Sequence, residues 1–199
     1  LIKKINTDLV ETFGLKASQV KLTGLLVLYN NVLESLFRSQ ILTIGVVFLA
    51  IMAMFLVLFR SLKIAFVAIL PSMLASGSVL GLMGWLGIPL DVMTITIAAI
   101  CIGIGVDHSI HYIHRFRSEI KQQASARIAI EKSHASTGKA IYYTSVIIVV
   151  GFSILGLSNF IPTIYFGVFT AFAMLVALIA NLTLLPLLLL GINSGKIKT

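Results

Sequence analysis

The chain has 199 residues, of which 58% are hydrophobic and only 11% are charged, and its mean hydropathy is +1.05. A soluble globular domain has about 25% charged residues, so this composition excludes most soluble enzymes, disordered regulators and nucleic-acid-binding domains. The formal net charge of +8 does not alter that conclusion, because the basic residues stand at the ends of long apolar runs, as topology-determining charges do in membrane proteins.

Residues 1–40 differ from the rest of the chain, because charged residues interrupt their apolar positions and Gly14 and Gly24 break the pattern. Leu22–Tyr29 is compatible with a strand, and Asn31–Gln40 is typical of a short amphipathic helix that leads into the membrane. Forty residues could hardly bury a core of their own. We therefore predict that 1–40 is the end of a periplasmic domain whose main body lies outside this chain.

Five later stretches are long and apolar enough to cross a bilayer. A hydrocarbon core about 30 Å thick needs about 20 apolar residues in a helix that rises about 1.5 Å per residue. The runs lack the alternation of outer-membrane strands, so we predict an all-α membrane protein with a five-helix transmembrane block over residues 41–190. The predicted spans are 41–59, 64–87, 92–113, 141–158 and 163–190.

The basic residues are distributed unevenly between the two ends of these spans. Ten of the fifteen Lys and Arg residues lie in Arg60–Lys63, in the segment 114–140 and in the tail 191–199, whereas the connections 87–91 and 158–162 contain none. The positive-inside rule places the three basic segments in the cytoplasm. We therefore expect a multi-pass protein of the inner (plasma) membrane, with its N-terminal end periplasmic or outside and its C-terminal tail cytoplasmic.

Within the predicted cytoplasmic segment, Ser118–Lys139 mixes charged residues with Ile120, Ile128 and Ile130. This pattern suits an interfacial amphipathic helix whose basic face lies on lipid headgroups. A solvated connecting helix fits the same pattern equally well.

Asp107 is an acidic residue inside the third predicted span. An acidic side chain at the bilayer centre costs about 2.5–3.5 kcal/mol on insertion scales, and such a residue normally faces a protein interior or a water cavity and marks a proton or ion path. Gly103 and Gly105 precede it, and Gly103 lies on the same helix face. Another helix could approach closely at Gly103 and cover the carboxylate. The alternative is a structural carboxylate that forms hydrogen bonds between helices.

His111 and His114 follow on the face of Asp107, so a carboxylate–histidine stripe leading to the cytoplasm would form a proton wire. Alternatively, both are interfacial histidines stabilised by headgroups and water. His108 is a further relay candidate, although its position on the helix directs it elsewhere.

Thr144 and Ser145 lie at the beginning of the fourth span. Their hydroxyls could form hydrogen bonds to a charged partner across a helix interface, or bond only to their own backbone.

Several chemical motifs are absent from the sequence. It contains no ATP-binding phosphate loop, no HExxH or GxSxG motif and no His/Cys metal-ligand spacing. Its single cysteine, Cys101, excludes a disulfide framework within one chain. We therefore predict no enzymatic activity, no cofactor, no metal site and no nucleic-acid partner.

The stretch Gly103–Arg117 resembles the fourth or tenth transmembrane helix of the resistance–nodulation–division (RND) superfamily, and most of all the MMPL and Patched-like exporters. Those helices carry a GxxxD motif, followed by an aromatic residue and then by basic residues where the helix leaves the membrane. Other features of the same helix block match in the same order: Phe59–Lys63 resembles the turn after its first helix, Gly151-Phe152 with Leu155 and Ser158 the helix after the GxxxD helix, and Phe160–Gly167 and Leu184–Pro186 the last helix. The similarity covers about residues 22–190.

The resemblance implies a protein of two similar halves, each with one helix, a large periplasmic domain and then five helices. This chain would be the end of one periplasmic porter-like domain and its five-helix block, and the short basic tail favours the C-terminal half. The resemblance also implies that Asp107 is the proton-coupling carboxylate. Many MMPL-type members have Tyr or Phe directly after this Asp. Here the position is His108, so the sequence departs from the family pattern but keeps a titratable neighbour.

The expected function is export of a hydrophobic or lipidic substrate driven by the proton motive force. The expected partners are membrane lipids, the other half of the same transporter and a hydrophobic small molecule or lipid as substrate, and the oligomeric state stays open. Two alternatives remain within the superfamily: a lipid- or sterol-sensing block without its own transport, and an accessory subunit of Sec-type protein export.

Overall fold

The computed structural model describes residues 24–88, 92–122 and 125–194, and these ranges are almost entirely helical with no strand among them. The predicted all-α architecture is therefore confirmed. The chain comprises two units, Leu1–Ile44 and Gly45–Thr199. Most of the predicted periplasmic end and most of the tail lie outside the described residues, so the predicted domain division stays a prediction.

Seven α-helices follow one another along the described chain. Two π-helical turns, His134–Gly138 and Ala180–Leu184, connect consecutive helices without a break in the helical path, and a 3₁₀ turn covers Leu155–Leu157. The helices are α1 (Leu25–Phe59), α2 (Leu62–Trp85), α3 (Val92–Gln122), α4 (Ala126–Ser133), α5 (Lys139–Ile154), α6 (Ile161–Ile179) and α7 (Leu185–Ser194).

Five of the helical stretches are long and apolar enough to cross a membrane, as the sequence predicts. Their bounds extend beyond several of the predicted ones, mainly at the end that carries the basic connections. The stretches are Leu42–Phe59, Leu62–Trp85, Thr96–Gln122, Ala126–Leu157 and Ile161–Ile192.

Two local predictions differ from the structure. From Leu25 onward the proposed strand is helix, continuous with the predicted entry helix Asn31–Gln40. Leucine, which has a high helix propensity, occupies three of the four positions 25–28. The segment Ser118–Lys139 is not a separate helix. Instead, α3 continues to Gln122 and the α4–α5 helical path begins at Ala126.

The helices of the second unit pack around a core between α2, α3 and α6. Its side chains are apolar, so van der Waals packing between helices supplies the contact, as is usual when lipid removes the hydrophobic drive for association. The fully buried members of this core are Val79, Met83, Ile97, Cys101, Phe169, Ala173 and Met174.

The turn between α1 and α2 is fixed by a side chain of α3. Arg117 donates from Nη1 to the carbonyl oxygen of Phe59 at 3.0 Å, and its guanidinium carbon lies 5.9 Å from the centre of the Phe59 ring. The next residue, Arg60, adopts a left-handed conformation with φ of 50°. A basic side chain that bonds the last carbonyls of a helix stabilises its C-terminus, so Arg117 holds the end of α1 against α3.

Candidate functional site

A groove runs along α3 opposite the α4–α5 helical path and has a volume of about 840 Å³. Polar and charged side chains lie beside apolar ones along it. Its α3 wall consists of Gly103, Ile104, Asp107, His108, His111 and Arg115, and its other wall of Ser136, Thr137, Ala140, Ile141, Thr144 and Ile148.

The Asp107 carboxylate faces this groove together with His111. Oδ1 of Asp107 lies 3.4 Å from Nε2 of His111, and the two side chains are 66% and 67% exposed. A Cβ added to Gly103 would meet no atom within 4 Å. The covering helix expected at Gly103 is therefore not supplied by the part of the chain that the structure describes, and the carboxylate is open to the groove.

The close helix approach occurs at Gly105 instead. A Cβ added there would lie 2.6 Å from Oγ of Ser72 on α2, which is far inside ordinary van der Waals contact. Gly105 is two residues from Gly103 and hence on nearly the opposite face of α3. Of the two glycines, Gly105 packs against the block and Gly103 faces the open groove.

His108 also lines this groove, although it projects from α3 about 100° away from Asp107. Its side chain is buried, and Nε2 lies 3.5 Å from Oγ1 of Thr144, at the long end of hydrogen-bond distances. Thr144 also donates to the carbonyls of Ala140 and Ile141, so it serves its own backbone as well as His108. Ser145 is buried but does not line the groove.

His114 belongs to a different cavity. This second cavity has a volume of about 330 Å³ and is lined in part by His114, Arg117 and Lys121. The histidine stripe expected from the sequence therefore divides, with His111 at the groove of Asp107 and His114 outside it.

The structure has a buried polar pair on the packed side of α3 that the sequence did not predict. Ser109 donates to Oδ1 of Asn181 at 2.9 Å, and Asn181 donates from Nδ2 to the carbonyl of Ala177 at 2.9 Å. Both side chains are fully buried, and Asn181 lies in the π-helical turn between α6 and α7. π-Helical turns are frequent at functional sites, and an Asn inside an apolar span was the available signal.

A polar network ties the far end of α3 to the α4–α5 path. Buried Glu119 pairs with Arg115 (2.7 Å) and Lys132 (3.9 Å). The hydroxyl of fully buried Tyr112 lies 2.8 Å from Nδ1 of His134 in the first π-helical turn. Both helices continue through the region that the sequence predicted to be a cytoplasmic connection.

Within the described ranges, no group of three His, Cys, Asp or Glu residues is arranged to hold a metal ion. Asp107 and His111 supply only two such groups. The groove brings together one carboxylate, that of Asp107, and the imidazoles of His108 and His111.

The chain is similar to known proteins over most of its length. The MMPL family profile matches residues 2–195. The chain is 32% identical over 156 residues to "Putative membrane protein MJ1562" of Methanocaldococcus jannaschii, covering 78% of this chain and 40% of that protein. It is 29% identical over 165 residues to "Putative membrane protein YdgH" of Bacillus subtilis, covering 80% of this chain and 18% of that protein.

The chain thus spans less than half the length of both curated relatives. No solved structure matches it significantly.

Proposed function

The chain belongs to the MMPL family of the RND superfamily, a family of membrane transporters, and from that premise we propose that it is the membrane block of one half of a proton-driven exporter. Asp107 is the proton-coupling carboxylate of this proposal, and His108 and His111 assist it. The observation that carries the proposal is the position of Asp107: it lies on a membrane-spanning helix, open to a groove and 3.4 Å from His111.

The packing of α3 supports a switch at this carboxylate. On one side, Gly105 contacts Ser72 and Ser109 is bonded to Asn181, so the helix is held against the block. On the other side, Asp107 faces the groove. An ionised carboxylate there favours water or a cation, whereas a protonated one tolerates apolar neighbours. Protonation therefore acts on whatever packs across the groove and leaves the held side unchanged.

The element that packs across the groove is, in this proposal, the other half of the same transporter. The support is the high exposure of Asp107 together with the open face at Gly103. Both relatives are more than twice as long as their matched part, which leaves room for a second half.

The basic connections are cytoplasmic and the N-terminal end is periplasmic or outside, with the inner (plasma) membrane as the location.

The proposed cargo is a hydrophobic or lipidic molecule, supported by the resemblance to MMPL and Patched-like exporters.

The test uses cells that make the full-length parent as wild type, as Asp107→Asn or as the matched control Asp107→Glu. Membrane lipids are compared by mass spectrometry at equal protein levels. We expect one lipid class to be redistributed by wild type and, at least in part, by the Glu variant, and to be retained with the Asn variant.

Two outcomes overturn the proposal in different ways. Redistribution by Asp107→Asn equal to that of wild type removes the coupling role of the carboxylate. Identical lipid profiles for all variants and for cells without the protein remove lipid export, and would favour a non-lipid substrate, a lipid or sterol sensor, or a Sec-type export role.

A further inference from the structure

The second cavity lies where two membrane-spanning helices end on the same side. Phe59 is the last residue of the first span, and Lys121 is next to last in the third. The cavity volume of about 330 Å³ is roughly ten times the ~30 Å³ that one water molecule occupies in the liquid. Its lining residues are Leu58, Phe59, His114, Arg117, Ser118 and Lys121.

The charged side chains that line this cavity are basic. No carboxylate lines it, and within the described residues neither Arg117 nor Lys121 forms an ion pair. Glu119 is close in sequence but is buried elsewhere on α3, where it pairs with Arg115 and Lys132. A site lined by two cationic side chains and no carboxylate attracts an anion.

The geometry of Arg117 makes it a suitable anion ligand. Its bond to the Phe59 carbonyl and its position over the Phe59 ring hold the guanidinium in place. One N–H group is used in that bond, and the others can donate to phosphate oxygens in the forked geometry that arginine favours. The hydroxyl of Ser118 and the imidazole of His114 are further donors at the cavity wall.

The surroundings favour a lipid headgroup over free phosphate. Leu58 lines the cavity, and Val57 and Leu62, which are near it in sequence, are also exposed large apolar side chains. An amphipathic ligand would place its phosphate in the cationic cavity and its acyl chains along these side chains. Basic pockets between transmembrane helices bind anionic headgroups in this way.

We propose that this cavity binds the phosphate group of an anionic phospholipid, which lies against the end of α1 as a bound lipid. The site is separate from the groove of Asp107 and does not depend on the proposed transport function. Its role in the protein is to anchor the Phe59–Arg117 junction at the membrane surface.

The test is lipid binding by the purified full-length protein in nanodiscs of phosphatidylcholine with a minority of phosphatidylglycerol, read by native mass spectrometry. Exposed Lys121 is the residue to change, because Arg117 also holds Phe59 and its loss could unfold the turn. Lys121→Gln removes one basic residue near the membrane surface. The loss of its attraction to the anionic headgroup should weaken phosphatidylglycerol retention about fivefold. Adding His114→Gln should weaken it further.

The matched control is Arg127→Gln, which removes one exposed charge from α4 outside the cavity. Retention close to wild type in this control supports a built site. Equal losses in Lys121→Gln and Arg127→Gln would overturn the site in favour of general surface attraction. Competition by inorganic phosphate alone, without lipid selectivity, would overturn the lipid as ligand. Asp107→Asn should leave retention unchanged, so failure of the transport proposal and failure of this one are distinguishable.

Discussion

Asp107 and His111 lie one helical turn apart on α3, with Oδ1 and Nε2 3.4 Å from each other and both side chains facing the same open groove. Neither side chain is part of the packed core. The pair therefore holds a carboxylate and an imidazole on the face of a membrane-spanning helix where a partner, water or a proton can reach them.

His111 is expected to assist the proton step without being its main carrier. Replacing it by Gln in the full-length protein keeps a polar side chain but removes a group that can be protonated. We expect His111→Gln to lower proton-driven export severalfold, and less than Asp107→Asn does, in a cell-based export measurement. Export at the wild-type rate would exclude His111 from the proton route.

The contact of Gly105 with Ser72 is expected to be intolerant of added volume. A methyl group at Gly105 would lie 2.6 Å from Oγ of Ser72, and overpacking of this kind costs about 1–3 kcal/mol. Gly105→Ala should therefore lower the thermal stability of the full-length protein, and adding Ser72→Ala should restore part of it. The control is Gly151→Ala, whose Cβ meets no atom within 4 Å; equal stability of the two glycine variants would contradict the close approach.

The bond between Ser109 and Asn181 is expected to couple α3 to the turn between α6 and α7. A double-mutant cycle with Ser109→Ala and Asn181→Ala measures this coupling as a difference in unfolding free energy. Hydrogen bonds between membrane helices average about 0.6 kcal/mol in such cycles, and we expect a value of that size. Additive single effects would mean that the two side chains do not interact.

Tyr112 is expected to stabilise the join between α3 and the first π-helical turn through its hydroxyl. Tyr112→Phe removes the 2.8 Å contact with His134 and leaves the imidazole without that partner, which should cost about 1 kcal/mol of unfolding free energy. Tyr142→Phe is the matched control, because the Tyr142 side chain is half exposed. A chemical denaturation series on both variants checks the difference, and equal midpoints would show that the hydroxyl contributes nothing.

The number of spans and the place of Asp107 follow from the sequence, because apolar length and one acidic residue in an apolar run are local signals. The faces of α3 are harder to assign. Sequence spacing puts Gly103 beside Asp107, yet only the packed helices reveal that Gly105 makes the close contact. His108 shares the groove because the groove is wide enough to include side chains that project about 100° apart.

Other features depend on distant parts of the chain. The partner of Ser109 is Asn181, which lies 72 residues away, so no local pattern could pair them. Within the extension of α3 to Gln122, Glu119 is buried and paired with Arg115 and Lys132, whereas the sequence alone would place its charge in water.

The most direct test of the proton-coupling role is proton movement in proteoliposomes that contain the full-length protein and the lipids of the producing cell. A trapped pH-sensitive dye reports lumenal pH after a gradient is imposed, with wild type, Asp107→Asn and Asp107→Glu present in equal amounts. The proposal predicts protein-dependent proton flux with wild type, a measurable flux with the Glu variant, and flux with the Asn variant no higher than in protein-free vesicles. Flux through Asp107→Asn equal to that of wild type would contradict it.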